Sequence, residues 1–401
     1  MHVDFTARLY IRSAPIHPEG PTKTGYIYSI PIPPRPERRG ILGIEGMKTR
    51  FLVRLCPALS IAPLLLFSGA TLAEPCLRVT LTGTQGGPPV FNGQAGAGTL
   101  VQYGDSESSC SSVQLQFDTG RGTTQQLSKL GVPVEKLNAV FLTHMHSDHS
   151  EGLSDIAQLR WHFSSAGPKL DLVCSQDVET ENGYTLSCNG FAEHIGDTLI
   201  ASGEMAQRLS ENPKRLTGGP ADLLHVMAFE NLPKAQQVWQ LDDVKVSAIQ
   251  SQHIGGHASY RVDTPAGSVV IGGDAGNDIP EPPRQSSTSE QVESLAMGAD
   301  IVVHSVIHPV MGPDQGSGFP PPIYYRQSNA LDLGALAKRT GTEYLMLTHL
   351  IPPLGAEKQG PYPIPGGALN EEDYRSAVLD SGYTGNTIVG TDLISIQIPA
   401  D

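Results

Sequence analysis

Positive charge is scarce in this chain. Of 401 residues, 27 are Lys or Arg against 41 Asp or Glu, a formal net charge of −14. Such a balance repels polyanions at long range and argues against non-specific nucleic-acid binding. Cysteine is also sparse: the five present include no pair at zinc-finger spacing, which excludes a small domain held together by thiolate-bound zinc. No repeat of fixed short period is legible, which excludes a solenoid. The apolar run from Ala58 to Phe67 is too short for a confident membrane-spanning helix. What remains is a globular composition with a charged fraction of only 17%, and 43 Gly with 32 Pro that imply many loops.

The first 73 residues differ from the rest. Residues 1–46 are rich in Pro and Arg and show no sustained apolar period, so they read as an extension preceding the true start. From Met47 the pattern changes: Lys48, Arg50 and Arg54, then the apolar run, then the small residues Ser68 to Ala73 before Glu74-Pro75. That is the layout of a secretory signal peptide at 47–73, which places residues 74–401 outside the cytosol, periplasmic or secreted, with no stable span after processing. The leader carries nine of the basic and four of the acidic residues, leaving 18 basic and 37 acidic in the mature part. Cys56 departs with the leader. Cys76, Cys110, Cys174 and Cys188 stay, and an even number in an oxidising compartment suggests two disulfides. Three pairings are open; Cys76–Cys110 would join the first strand to a later one, and Cys174–Cys188 would close a short loop.

Along the mature chain, Leu77–Thr82, Val113–Phe117, Leu137–Leu142, Leu170–Cys174, Val244–Gln250, Tyr260–Val262, Ser268–Ile271, Ala299–Val303, Glu343–Leu347, Thr387–Val389 and Leu393–Ile398 read as strands. Gly122–Leu130, Leu153–Phe163 and Leu331–Arg339 read as helices. Between 175 and 233 the pattern weakens, with candidate helices near Ile200–Leu209 and Ala221–Glu230, and this stretch is expected to form a lid over the site. Runs of strands followed by strands alternating with helices predict a layered α/β domain.

One stretch stands apart. Thr143-His-Met-His-Ser-Asp-His149 offers His144, His146, Asp148 and His149 directly after the apolar run Val140-Phe-Leu142. Imidazole and carboxylate are zinc's preferred donors other than sulfur, and four so close are better shared between two ions than crowded on one. Three further donors follow strands in the same manner: His253, Asp274 and His349. Donors at the ends of different strands converge on one edge of a sheet, where α/β folds place their sites.

Here the sequence resembles the metallo-β-lactamase superfamily, and within it the branch of ribonuclease Z and secreted arylsulfatases. Leu81-Thr-Gly-Thr-Gln-Gly-Gly-Pro88 matches its opening strand and loop, Phe117-Asp-Thr-Gly-Arg-Gly-Thr123 its second motif, and Thr143–His149 its metal motif. His253 keeps the family's interval to Tyr260-Arg-Val262, and Gly273-Asp274 and Leu347-Thr-His349 complete the set. The resemblance implies an αββα sandwich with two Zn2+, for which Mn or Fe could substitute. His144, His146 and His253 would hold one ion, Asp148, His149 and His349 the other, with Asp274 bridging. It also implies hydrolysis by a hydroxide shared between the ions, with Asp148 as proton acceptor; Asp118 would brace the metal loop rather than bind metal.

The departures are as specific. The Glu and His of the ribonuclease Z proton relay fall on Ser305 and Gln327, which cannot replace them, leaving His308 as a substitute catalytic acid. His257 would line the substrate pocket. Only Asp263–Ser268 stands where ribonuclease Z carries its tRNA-clamping arm. Leader, acidic balance and missing arm together predict a small-molecule substrate, a phosphodiester or aryl sulfate, with nucleic acid disfavoured. A lactonase or thioesterase on the same site, a ribonuclease Z-type phosphodiesterase and a metal-keeping binding protein are the alternatives. The sequence leaves the oligomeric state open, and a homodimer is compatible with it.

Overall fold

The computed structural model describes residues 73–276 and 288–399. The predicted extension and the predicted signal peptide up to residue 72 lie outside the described residues, as does Cys56.

Fourteen strands form two seven-stranded sheets. They are β1 (Pro75–Gly83), β2 (Gly98–Asp105), β3 (Val113–Phe117), β4 (Ala139–Phe141), β5 (Leu170–Ser175), β6 (Leu224–Phe229), β7 (Gln236–Leu241), β8 (Val244–Gln250), β9 (Ala258–Thr264), β10 (Gly267–Ile271), β11 (Ile301–Ile307), β12 (Tyr344–Ile351), β13 (Asn386–Val389) and β14 (Ser395–Ile398). The first sheet runs β14-β1-β2-β3-β4-β5-β6 and the second β13-β12-β11-β10-β9-β8-β7. β14 returns to pair antiparallel with β1, Leu77 opposite Ile398, so the last strand of the chain closes the edge of the first sheet.

Apolar side chains alternate onto the inner faces, and Leu77, Val79, Phe117 and Phe141 of the first sheet meet Val246, Tyr260, Val262 and Ile301 of the second. Behind the second sheet, helices Glu290–Ala296, Ala330–Thr340 and Glu371–Leu379 bury Val292, Leu333, Leu336 and Tyr374. Behind the first, Thr123–Lys129, Leu153–Ser164 and Cys188–His194 bury Leu127, Leu153, Ile156 and Ala192. Helix, sheet, sheet, helix: the expected αββα sandwich is present. Both disulfides considered from sequence form, Cys76–Cys110 and Cys174–Cys188.

Three readings need correction. Ala221–Glu230 is not a helix; after a short 3-10 turn it becomes β6, pairing parallel with β5 through Leu170–Leu224 to Ser175–Phe229. The unpaired edge of β5 offers backbone hydrogen bonds that helical spacing cannot outweigh. β2 and β7 were not read as strands. β2 begins at Gly98, where a Cβ would stand 2.5 Å from Thr82 Oγ1; the glycine is there for close approach rather than to mark a turn. Finally, the segment 175–233 stays off the cavity described below, and its Gln176, Val178, Glu230 and Asn231 line instead a separate hollow that His253 borders.

Candidate metal centre and its cavity

β4 carries the first donors. Its end is held in two ways. Asp118, at the end of β3, accepts from the Thr143 backbone N–H at 2.8 Å and stands 2.8 Å from His149 Nδ1. Tyr260 of the opposite sheet donates its hydroxyl to Leu142 O at 2.7 Å. Asp118 therefore braces the metal loop, as expected, and fixes the ring of His149. The helical turn Ser147–Ser150 then swings Asp148 and His149 inward, past His144 and His146.

The second sheet brings the rest. His253 follows β8 and Asp274 follows β10. His349 was expected just beyond a strand, but β12 continues to Ile351. The register slips between Ser305 and Val306 of β11, and His349 is the extra residue, at φ 47°. A bulge re-aims a side chain that strand alternation would send elsewhere.

All seven donors meet. Three triads each place their ligand atoms within 4.8 Å of one another: His144, His146 and His253; His144, His149 and Asp274; and Asp148, His149 and His349. Asp274 Oδ2 lies 3.3 Å from His349 Nε2, 3.4 Å from His149 Nε2 and 3.8 Å from His253 Nε2. Asp148 Oδ2 lies 3.2 Å from His349 Nε2.

Burial is the largest influence on His144 and His253; it lowers the first well below its ordinary value and the second to about 4. Burial works against ionisation of Asp148 too, but the hydrogen bond from His349 and the charges of His149 and His349 outweigh it and bring the carboxyl to about 2. For His149, burial is outweighed by Asp274 and Asp118, which raise it well above the ordinary imidazole range.

The donor set fits metal. His149 Nε2, His253 Nε2 and Asp274 Oδ1 are buried with no hydrogen-bond partner among the described residues, and such orphaned atoms are costly unless something binds them. The carboxylates and imidazoles suit zinc and equally suit Mn or Fe.

His257 does not line the main cavity. It is fully buried, and its Nε2 accepts from the Asp274 backbone N–H at 3.1 Å. That leaves Nδ1 to donate to Ser251 Oγ at 2.8 Å, which continues through Ser259 Oγ to Gly272 O. The residue positions Asp274 from behind. Gly273 beside it takes φ +60°, and a Cβ there would stand 2.9 Å from His257 Nε2 and from Thr143 Cβ.

His308 is not brought to the cluster either. Its Nδ1 accepts from the Val310 N–H at 3.2 Å, capping the turn Pro309–Met311, and its ring packs edge-on against Tyr374. The strand ends at Ile307, so the chain turns away before His308 can point inward.

Beside the cluster opens a cavity of ≈ 320 Å³. Its lining includes the donors His146, Asp148, His253, Asp274 and His349, the apolar side chains of Pro88, Pro89, Phe319, Ile323, Ile351 and Tyr362, and the polar pair Arg326 and Gln327. Arg326, partly exposed, was missed from sequence. Its backbone carbonyl lies 3.3 Å from His253 Nδ1, so it is tied to a donor, but a lone Arg in Tyr-Tyr-Arg-Gln carries no spacing signal.

A family model described as anti-Pycsar protein Apyc1 matches residues 107–187, which includes the first metal motif. Ribonuclease Z of Mycobacterium bovis (strain BCG / Pasteur 1173P2) is 26% identical over 324 residues, covering 80% of this chain and 98% of the relative. Ribonuclease Z of Mycobacterium avium (strain 104) is 26% identical over 326 residues, 81% of this chain and 99% of its own. Among solved structures, the metallo-β-lactamase fold protein YhfI from Bacillus subtilis is similar with a TM-score of 0.52 at 19% identity, covering 81% of this chain and 100% of that one. Human tRNase Z, short form, gives 0.51 at 15% identity, covering 80% and 99%.

The sandwich has the metallo-β-lactamase fold. Over most of its length the chain is similar to ribonuclease Z.

The comparison corrects one expectation. The relatives bear the name of a ribonuclease, so a small-molecule ester substrate with nucleic acid disfavoured does not stand. The inference from net charge failed for a physical reason: it governs long-range approach, which salt screens, whereas the cavity's own field is set by Arg326 and the donor set.

Proposed function

We propose that the protein is a metal-dependent phosphodiesterase of ribonuclease Z type that cleaves RNA, with two metal ions, zinc in the first instance, in the donor cluster. The observation that carries this is Asp274 Oδ2 within 3.8 Å of histidines assigned to both ions, in a chain related to ribonuclease Z over 80% of its length. His144, His146 and His253 would hold one ion and Asp148, His149 and His349 the other, with Asp274 placed within reach of both groups.

Metal ions held there would lower the pKa of a bound water and offset charge on the phosphorus oxygens. The chain's own residues do the rest. Asp148 stays ionised and accepts the proton of the attacking water. Arg326 faces the incoming phosphate as a fixed cation, supplying charge stabilisation rather than a proton. Gln327 offers the leaving oxygen a hydrogen bond, and neither Ser305 nor His308 enters the cavity. The aryl sulfatase reading finds no support in the relatives.

Export is part of the same proposal. Its support is the leader pattern at 47–73 and the two disulfides, which persist in oxidising compartments.

Purified, metal-loaded protein should cleave a pre-tRNA 3′ trailer or a short RNA, and a chelator should abolish the activity. Indifference to the chelator, or no cleavage of any RNA by a two-metal preparation, would overturn the reading.

A further inference from the structure

We propose that the backbone N–H of Gly87 is a catalytic donor, which stabilises charge on a phosphoryl oxygen of the substrate at the donor cluster. The inference rests on the phosphodiesterase reading above and adds a group that the metal motif does not contain.

The chain leaves β1 through Thr84-Gln-Gly-Gly-Pro-Pro89, and its two glycines answer to different constraints. A Cβ on Gly86 would stand 2.6 Å from Leu350 O and 2.8 Å from His349 O, so only glycine lets this backbone lie against the bulge that carries His349. Gly87 takes φ +72°, in the left-handed region. Its N–H donates to His349 Nε2 at 3.0 Å, and Gly87 itself lines the cavity beside the cluster.

Two side chains aim that N–H. Gly86 O accepts from Gln85 Nε2 at 3.1 Å and from Gln359 Nε2 at 3.3 Å. Both glutamines are buried, and the Gly86–Gly87 peptide is trans. In a planar trans peptide the carbonyl and the following N–H point opposite ways, so holding the oxygen turns the N–H toward the cluster. The base of the loop is pinned as well. Asp392 accepts at Oδ1 from Thr84 N and Oγ1, at 3.0 and 2.7 Å, and at Oδ2 from Ala95 N and Gln126 Nε2, at 2.8 and 2.6 Å. One carboxylate thus fixes both ends of residues 84–95, and a donor held in this way acts without rearrangement.

The acceptor decides what the N–H can do. His349 Nε2 is the nitrogen turned toward Asp148 Oδ2 and Asp274 Oδ2, at 3.2 and 3.3 Å, and is therefore the one placed to bind an ion. A neutral imidazole offers a single acceptor lone pair, which cannot serve an ion and the Gly87 N–H together. With an ion bound, the N–H is released beside the place where the donors converge. An N–H without an acceptor is costly, and an anionic phosphoryl oxygen is the acceptor that the proposed reaction brings there.

The test replaces the Gly87 nitrogen by oxygen, an ester in place of the amide, introduced into the full chain by translation with a tRNA carrying glycolic acid. The metal-loaded ester protein should keep the metal content and KM of the wild type, while kcat on a short RNA falls about a hundredfold, the usual effect of losing one oxyanion donor. Inorganic phosphate should bind it about tenfold more weakly by calorimetry, and should move the Gly87 amide proton of the loaded wild type downfield in NMR. Gln359→Met keeps the chain length without the carboxamide. It should lower kcat about tenfold at unchanged KM in the ordinary backbone and do nothing further in the ester protein, because the two act as one unit. Unchanged kcat and phosphate affinity in the ester protein would overturn the proposal. So would loss of metal from it, which would make the loop a structural support of the centre. A full effect of Gln359→Met in the ester protein would overturn the positioning role of that side chain. A wild type that cuts no RNA would instead bring down the phosphodiesterase reading, and the two phosphate measurements would then decide the donor by themselves.

Discussion

Asp274 sits where every strand-end donor converges, and its position depends on residues that bind nothing themselves. His257 accepts from its backbone N–H, and Gly273 leaves room for that ring. In the proposed two-metal centre, Asp274→Ala should reduce bound metal from two ions toward one per chain, measured by elemental analysis of protein purified without added zinc. Retention of two ions would refute the bridging role.

The buried histidines also set a pH dependence in the metal-free chain. His253 and His304 are both lowered to about 4, chiefly by burial, whereas an unfolded imidazole titrates near 6.5. Between those values the unfolded state binds more protons, so stability is present above pH 6.5 and is lost as pH falls toward 4. The slope is roughly 1.4 kcal/mol per group for each unit of pH. His149 acts oppositely: its raised value contributes stability that is full below pH 6.5 and lost as pH climbs through its folded value. Urea melts of chelator-treated protein at pH 7 and pH 5 should show a lower midpoint at pH 5. An unchanged or higher midpoint would mean that these imidazoles are hydrated in the metal-free fold.

At the scale of elements, the metal motif was legible because it is local: one strand, one loop and one helical turn carry four donors. His349 was legible as a donor after an apolar run, but not as a bulged residue inside β12, because the slip is created by pairing with β11. The segment 175–233 was legible only as irregular. Its strand β6 exists because β5 has an open edge, and its loop is tied back by Cys174–Cys188. Closing a loop of 14 residues should contribute about 3 kcal/mol. The double variant Cys174→Ser, Cys188→Ser should lose that much in denaturant unfolding and keep its metal content, since neither cysteine is among the seven donors. Loss of metal together with the disulfide would tie this segment to the centre after all.

For the whole molecule, the four layers follow from burying two faces of each sheet, and no helix among the described residues is long and apolar enough to cross a membrane. The proposed export makes a specific expectation. Expressed from Met47 in a secreting host, the protein should be recovered outside the cytosol with an N-terminus at Glu74, read by intact mass. A protein retained in the cytosol with its leader attached would dismiss export without touching the site.

Sequence by itself determined the sandwich and the candidate donors, because strand alternation and residue chemistry are local properties of the chain. The apolar runs declare which faces are buried, and His and Asp at strand ends declare what they can bind. Tertiary structure alone decided what those donors face. Arg326 and Gln327 follow β11 while Gln359 and Tyr362 follow β12, and no spacing in the sequence connects the two pairs that line one cavity. His308, which residue type commended, was excluded by the same geometry. Net charge was misleading for the complementary reason. It sums over the whole surface, whereas a substrate at the site meets one arginine and a buried cluster of carboxylates and imidazoles.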